Sequence, residues 1–396
     1  YATWKRDSST TMLVLKYLLG NIFRHKLRTF LTITGITIAI LAFGLLRTVI
    51  NAWYAGVEAS SSSRLVTRNS ISIIFYLPLS YRDKIRQVPG VKQVSYGNWF
   101  GGIYIDEKNF IPNFAVDAQS YLDLYPEFVL TPGERAAFLR ERNAFVAGRK
   151  VAAKYGWKVG DTITLKGTIF PGAWELVLRG IYKGRFRTTD ETQLFFRWDY
   201  LNETLKKTSP RRADNVGFYM IGVTHPDLAS SVAVAVDETF KNSLAETLTQ
   251  SEKAFQMGFV AMSDAIIMAI RLVSYVVIVI ILVVVANTMA MTVRERTGEY
   301  AVFKTLGFQR WRIAVLIFGE SVVITMIGCV LGIVLTYPLA HAFGTAMGTF
   351  FPVFIVSRET VYLDAAAGLI VGVAAALIPA VRTMNISIAG ALRRTG

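Results

Sequence analysis

From Leu272 to Ala286 the chain carries no charged side chain and consists largely of Val and Ile, and its apolar character continues to Met291. A helix needs about 20 such residues to cross a bilayer. The run then stops abruptly, with Arg294, Glu295, Arg296 and Glu299 arriving within six positions. This boundary reads as a membrane face. Three further runs resemble the first: Thr29 to Leu46 is uncharged, Ile313 to Leu339 carries only Glu320, and Val361 to Val381 is rich in Ala and Gly. Four spans of this kind point to a membrane-embedded helical bundle.

Composition agrees. The chain is 53% hydrophobic and 18% charged, where soluble domains hold roughly half apolar and about a quarter charged residues. The formal net charge of +15 could suggest nucleic acid, so its distribution decides. Between Asn51 and Ser263 there are 26 basic and 21 acidic residues, a net of +5, whereas the remaining 183 residues hold 17 basic and 7 acidic, a net of +10. Most of the excess flanks the apolar runs on one side, which is a topology signal rather than a nucleic-acid footprint. The single Cys329 lies within a run and reads as a small apolar packing residue. The sequence begins at Tyr1, and no cleavable signal peptide is expected, because the first run is too long and no small-residue cleavage site follows it.

The basic bias sets the expected organisation. Leu15, Leu18, Leu19, Ile22 and Phe23 fall at helical spacing with Lys16, Arg24 and Arg28 on another face, so 1–28 reads as an amphipathic helix in the cytoplasmic headgroup layer. The first span is 29–50, followed by an extracytoplasmic domain at 51–263 with a stalk helix at about 237–263 running into the second span, 264–291. A cytoplasmic segment at 292–312 precedes the third span, 313–339. A short external loop at 340–360 and a fourth span at 361–381 lead to a cytoplasmic tail, 382–396, with Arg382, Arg393 and Arg394. Gly368 and Gly372 place small residues four apart in the last span, the spacing that lets helices approach closely.

The extracytoplasmic domain reads as α/β (α+β). Ser70–Leu77 and Val91–Ser95 are predicted strands around a short helix at Arg82–Gln87. Ala144 to Leu165 reads as strand, short helix, Gly160-Asp161 turn and strand, with further strands at Trp174–Leu178, Gln193–Phe196 and Val216–Val223. The last of these is expected to close a sheet begun at Ser70. Pro226 and Asp227 open a helix at Leu228.

Motifs with catalytic meaning are missing from the sequence. No GxxxxGK[ST] occurs, so ATP hydrolysis by this chain alone is not expected. His25, His225 and His341 are scattered among the expected compartments, which suggests neither a metal cluster nor a Ser-His-Asp site. The expectation is a non-catalytic subunit that binds no cofactor directly. The strongest signal is the segment after the second span. Arg294, Glu295 and Arg296 sit just below the membrane, and Tyr300, Phe303 and Leu306, with Phe308 nearby, give a short helix an apolar ridge. Such a ridge fits a partner's groove; burial of the same side chains in lipid is the other reading.

Four stretches together resemble the MacB/FtsX/LolC-type permeases of ABC transporters, the type VII or mechanotransmission class. They are LKYLLGNIFRHKLRTFLTITGITIAI, NTMAMTVRERTGEYAVFKTLGFQRWRI, FGESVVITMIGCVLGIVL and GVAAALIPAVRTMNISIAGALRR, and they cover the membrane half of the chain in order and spacing. The resemblance implies an ATPase-coupling helix at Arg294 to Phe308, with Glu295 and Arg296 as the family's Glu-Arg pair and Glu299 as its next acidic position. Tyr300-Ala301 stands where the family has an aliphatic and a small residue, and Phe303 adds bulk. Glu320 takes the acidic position opening the third span and calls for a basic partner, Arg294 or Arg312. The implied assembly is a permease dimer on two ATPase subunits that supply ATP and Mg chemistry, with a periplasmic adaptor protein as a further candidate partner. Its implied work is export or extrusion from a bacterial inner membrane by mechanotransmission. Signalling to a cell-wall hydrolase in the manner of FtsX, and lipoprotein release in the manner of LolC and LolE, are the alternatives.

Overall fold

The computed structural model describes residues 26–384 apart from 108, 110 and 349. The expected amphipathic helix at 1–28 therefore lies almost wholly outside the described residues, as do Arg393 and Arg394. The helices are α1 (Lys26–Ala59), α2 (Tyr81–Arg86), α3 (Ala118–Leu124), α4 (Pro132–Arg140), α5 (Arg149–Tyr155), α6 (Trp198–Thr208), α7 (Ala229–Thr239), α8 (Glu252–Met262), α9 (Asp264–Glu295), α10 (Thr297–Thr305), α11 (Arg310–Ala346) and α12 (Arg358–Met384). The strands are β1 (Arg64–Asn69), β2 (Leu77–Pro78), β3 (Val91–Trp99), β4 (Ile103–Tyr104), β5 (Asn113–Val116), β6 (Phe128–Val129), β7 (Ala144–Gly148), β8 (Thr162–Gly167), β9 (Gly172–Gly184), β10 (Leu194–Arg197), β11 (Asn215–Val216), β12 (Phe218–Val223) and β13 (Thr247–Ser251). They divide into two compact units. One holds the chain up to Asn51, Ala265–Thr345 and the chain from Phe354 on; the other holds Ala52–Asp264 with Ala346–Val353.

The second unit is built on one mixed sheet in the order β13-β1-β12-β3-β5-β10-β7-β9-β8-β4, with β6 paired to β9. Strand alternation explains its two covered faces. In β10, Leu194 and Phe196 enter one apolar cluster while Phe195 enters another, and in β7 Phe145 and Ala147 oppose Ala144 and Val146 in the same way. Successive side chains of a strand point to opposite faces, so a strand buried on both reads as a continuous apolar run, as AFVAG does.

Two expectations about this unit are corrected. The strand placed at Ser70–Leu77 begins instead at Arg64, and it pairs antiparallel with β12 from Arg64↔Gly222 to Arg68↔Phe218. Ile71 and Ile74 are 81% and 73% exposed, on a turn. Their alternation imitates a strand, but the buried pattern belongs to RLVTRN. The stalk helix expected over 237–263 is interrupted as well: Thr247–Ser251 is β13, antiparallel to β1. Asp237 makes this possible by accepting hydrogen bonds from Thr249 N (2.9 Å) and the hydroxyls of Thr247 (2.8 Å) and Thr249 (2.7 Å). Polar side chains that bond an acid and each other fill the sheet edge, so the segment lacks the apolar alternation that marks a strand in sequence.

In the first unit α1, α9, α11 and α12 are long and apolar enough to cross a membrane. Small residues set their spacing. A Cβ on Gly328 would come within 2.7 Å of Ile36 Cβ, and one on Gly368 within 2.8 Å of Cys329 Sγ. Hydrogen bonds cross the same seams, from Thr37 Oγ1 to the Gly328 carbonyl (3.2 Å) and from Ser321 Oγ to the Gly372 carbonyl (2.7 Å). The small-residue spacing read from Gly368 and Gly372 thus serves helix contact. Helix α9 stands apart: only 17% of its most apolar window is buried in this chain, against 50% for α11.

Candidate functional site

The corner between α9 and α11 is fixed from three sides. Arg296 separates α9 from α10, yet its N–H donates to the Thr292 carbonyl (3.2 Å) and its carbonyl accepts from Tyr300 N (3.1 Å), so the helical path bends without unravelling. Its side chain turns inward. Nη1 meets Glu320 Oε2 on α11 at 2.9 Å, Nε meets Glu299 Oε2 at 3.0 Å, and the guanidinium lies 5.4 Å from the Tyr300 ring centroid. The side chains of Arg296 and Glu320 are each only 8% exposed. Removing one partner of such a buried pair typically costs about 3–5 kcal/mol, because the other charge is left unmatched. The cation on Glu320 is thus Arg296, where the sequence pointed to Arg294 or Arg312; the bend at Arg296 turns that residue toward α11.

A second fastening joins α10 to α12. Lys304 Nζ donates to the carbonyls of Thr383 (3.2 Å) and Met384 (3.0 Å), which lie at the helix end where carbonyls lack intrahelical donors. Burial, and then the nearby charge of Arg310, push the Lys304 ammonium below the ordinary lysine value. The third fastening is exposed: Arg28 Nη1 meets Glu295 Oε2 at 2.7 Å, a surface pair worth about 0–1 kcal/mol.

Helix α10 ends in a Schellman turn. Gly307 has φ +86°, Phe308 N donates to the Phe303 carbonyl (3.0 Å) and Gly307 N to that of Lys304 (3.1 Å). The Phe303 and Phe308 rings, 5.4 Å apart, supply the apolar contact that accompanies this cap. GlyPhe after a helical run is the sequence signal for it.

This geometry divides the ridge drawn from sequence. Tyr300 is 2% exposed and packs into the bundle, and Phe303 is half-buried against the same cluster. Leu306 is 69% exposed, Val302 47%, Phe308 42% and Trp311 58%. At about 100° per residue, Leu306 stands roughly 120° round the axis from Tyr300, and Val302 further still. Of the predicted ridge, Tyr300 thus lies inside the bundle, and Val302 and Leu306 form the outward edge. Arg294 and Glu295 are exposed on the last turn of α9, while Arg296 and Glu299 work within the corner.

Sequence reasoning also passed over Asp364. It lies in the fourth span, fully buried, and among the described residues neither carboxylate oxygen has a hydrogen-bond partner. A Cβ on Gly44 would come within 2.9 Å of its Oδ2. Arg47, three positions beyond Gly44 and so on the same face of α1, keeps a buried Nε without a partner among the described residues and reaches Glu359 at 3.6 Å. A lone acid in an Ala- and Gly-rich run was the available signal. No group of three or more His, Cys, Asp or Glu among the described residues could hold a metal ion.

Known proteins place this geometry in context. Residues 29–239 match the MacB-like periplasmic core domain, and residues 271–388 match the FtsX-like permease C-terminal family. An uncharacterised ABC transporter permease of Methanocaldococcus jannaschii is 23% identical over 350 residues, 83% of this chain and 84% of its own length. One of Mycobacterium tuberculosis is 25% identical over 274 residues, 66% of this chain but only 30% of its own length. The extracellular domain of the noncanonic ABC-type transporter YknZ from Gram-positive bacteria aligns over 48% of this chain at 14% identity, with a TM-score of 0.34.

Proposed function

The chain belongs to the MacB/FtsX-type family of ABC transporter permeases, and from that premise we propose that it couples ATP hydrolysis in a separate ATPase subunit to movement of its α/β unit, for export or extrusion of a substrate. The observation that carries this reading is the outward edge of Val302 and Leu306 on a corner held to α11 through Arg296–Glu320 and to α12 through Lys304. An apolar edge gives a partner's groove something to grip. Rigid fastening behind it passes a push into the bundle instead of bending a loop. In this reading two copies of the chain sit on two ATPase subunits, which bind ATP and Mg, and the corner faces the cytoplasm of a bacterial inner membrane. The basic residues beside the apolar runs support that orientation. A periplasmic adaptor is a further partner in this scheme.

The test is co-purification from source cells. Val302→Asp and Leu306→Asp each place a charge on the edge without touching the corner's bonds, and the expected result is loss of the ATPase subunit with thermal stability of the permease unchanged. Retention of the ATPase by both variants sinks the docking assignment.

A further inference from the structure

Both connections of the 52–264 segment, which builds the sheet, meet at one end of it. β1 begins at Arg64, soon after α1 ends, and β13 ends at Ser251, next to the first residue of α8, Glu252. The two strands are antiparallel neighbours with Leu65 opposite Ser251. One buried cation gathers this end together. Arg64 Nε donates to Glu252 Oε2 (2.8 Å), Nη2 meets Glu127 Oε1 (2.7 Å), Nη1 donates to the Leu124 carbonyl (3.2 Å), and the guanidinium lies 4.1 Å from the Tyr125 ring centroid. Glu252 is equally engaged. Its Oε2 also accepts from Ser61 N (2.9 Å) and its Oε1 from the Tyr125 hydroxyl (2.9 Å).

A single carboxylate on the first turn of the outgoing helix is therefore held by the incoming connection at Ser61, by the first strand at Arg64, and by Tyr125 beyond α3. The Arg64 and Glu252 side chains are only 8% and 10% exposed. Apolar residues of similar volume would close an interior at least as stably as a buried ion pair. What the charged network adds is direction: each bond fixes an orientation, so α8 cannot roll or slide against β1 without breaking several at once. Its position matters because α8 leads, through Ser263, directly into α9.

We propose that Arg64 and Glu252 are positioning residues that join the incoming and outgoing connections to the sheet, so that displacement of α8 moves the whole α/β unit instead of being absorbed at its root. This rests on the mechanical reading above, and its test separates the two. The full chain, with the ATPase subunit that co-purifies with it, is placed in nanodiscs, and hydrogen exchange is followed by mass spectrometry without nucleotide and with ATP plus vanadate. In the wild type, trapping is expected to change exchange across β1, β12 and β3. Glu252→Gln and Arg64→Gln are expected to hydrolyse ATP within about twofold of wild type while the change in those strands falls at least threefold. A disulfide between Thr67→Cys and Thr249→Cys, whose hydroxyl oxygens lie 2.9 Å apart in the native pair, should restore the strand response in the Glu252→Gln background by tying β1 to β13 covalently.

A purely structural role would lower thermal stability without dividing hydrolysis from strand response in this way. A strand response preserved in both variants overturns the clamp alone, as does a disulfide that restores stability but not the response. A wild type without any nucleotide response overturns the mechanical reading and the clamp with it. Should Glu252→Gln fail to accumulate, Arg64→Lys, which keeps the charge but gives up the fork, takes its place under the same criteria.

Discussion

Two buried carboxylates in the bundle stand in opposite circumstances. Glu320 is met by Arg296 at 2.9 Å, whereas Asp364 is fully buried with no donor on either oxygen among the described residues. Neutral amides at these positions should therefore act in opposite directions. Glu320→Gln leaves the Arg296 guanidinium with Glu299 as its remaining carboxylate, and a loss of about 3 kcal/mol is expected, at the low end for a broken buried pair because Glu299 stays. Asp364→Asn keeps the shape and replaces an acid that no hydrogen bond among the described residues holds, so stability should hold or rise. Thermal unfolding of the full chain in detergent decides both; a destabilised Asp364→Asn would mean that Arg47 holds that acid. Neither circumstance was legible in the sequence. Arg294, Arg296 and Arg312 are all close enough along the chain to meet Glu320, and only the bend at Arg296 selects among them.

At the scale of elements, the spans were legible because their signal is compositional: some 20 uncharged residues make a helix in lipid whatever their neighbours are. Their packing was legible only in part. Gly368 and Gly372 announce a close approach by spacing, but the seam between α1 and α11 rests on Gly328 and Gly332 against Ile36 and Ile40, which no local pattern links. That seam gives the next prediction. Gly328→Ala adds one methyl group where Ile36 Cβ and the Ile33 carbonyl oxygen already lie within 2.7 and 3.1 Å of its position. Backbone on one side cannot give way, so the helices must part, and overpacking of this kind costs about 1–3 kcal/mol. Gly133→Ala, where no described residue lies within 4 Å, serves as the control and should not lower the midpoint. Equal midpoints for the two variants would show that the seam yields freely.

At the scale of the whole molecule, the chain holds two kinds of interior. Local strand patterns revealed β3, β7, β8, β10 and β12 because each alternates or runs apolar, whereas β1 was misplaced and the segment of β13 read as helix. RLVTRN and TLTQS put threonines and an arginine where a strand usually shows branched apolar residues, and what holds them is the Thr67–Thr249 hydroxyl contact, Asp237 and the Arg64 network. Pairings between residues nearly two hundred positions apart have no signature in a short window. The same pairings make the α/β unit self-sufficient. Both of its apolar clusters are built wholly from residues between Leu65 and Phe240, with Phe255 packed alongside, and its chain ends leave from one edge of the sheet. A fragment of residues 52–264 should therefore fold as a soluble, cooperative domain without the spans. Outside it, Lys150 Nζ reaches the Pro352 carbonyl at 2.5 Å and Trp53 stacks edge-on against Phe351, so the fragment forfeits a small contact from 346–353 but nothing from its core. Circular dichroism should report mixed α/β structure with a single sharp thermal transition, and Arg64→Gln should lower its midpoint by breaking the ion-pair network within the fragment itself. A fragment that is molten or aggregated would show that the sheet depends on the bundle for its closure, and that the two interiors fold as one.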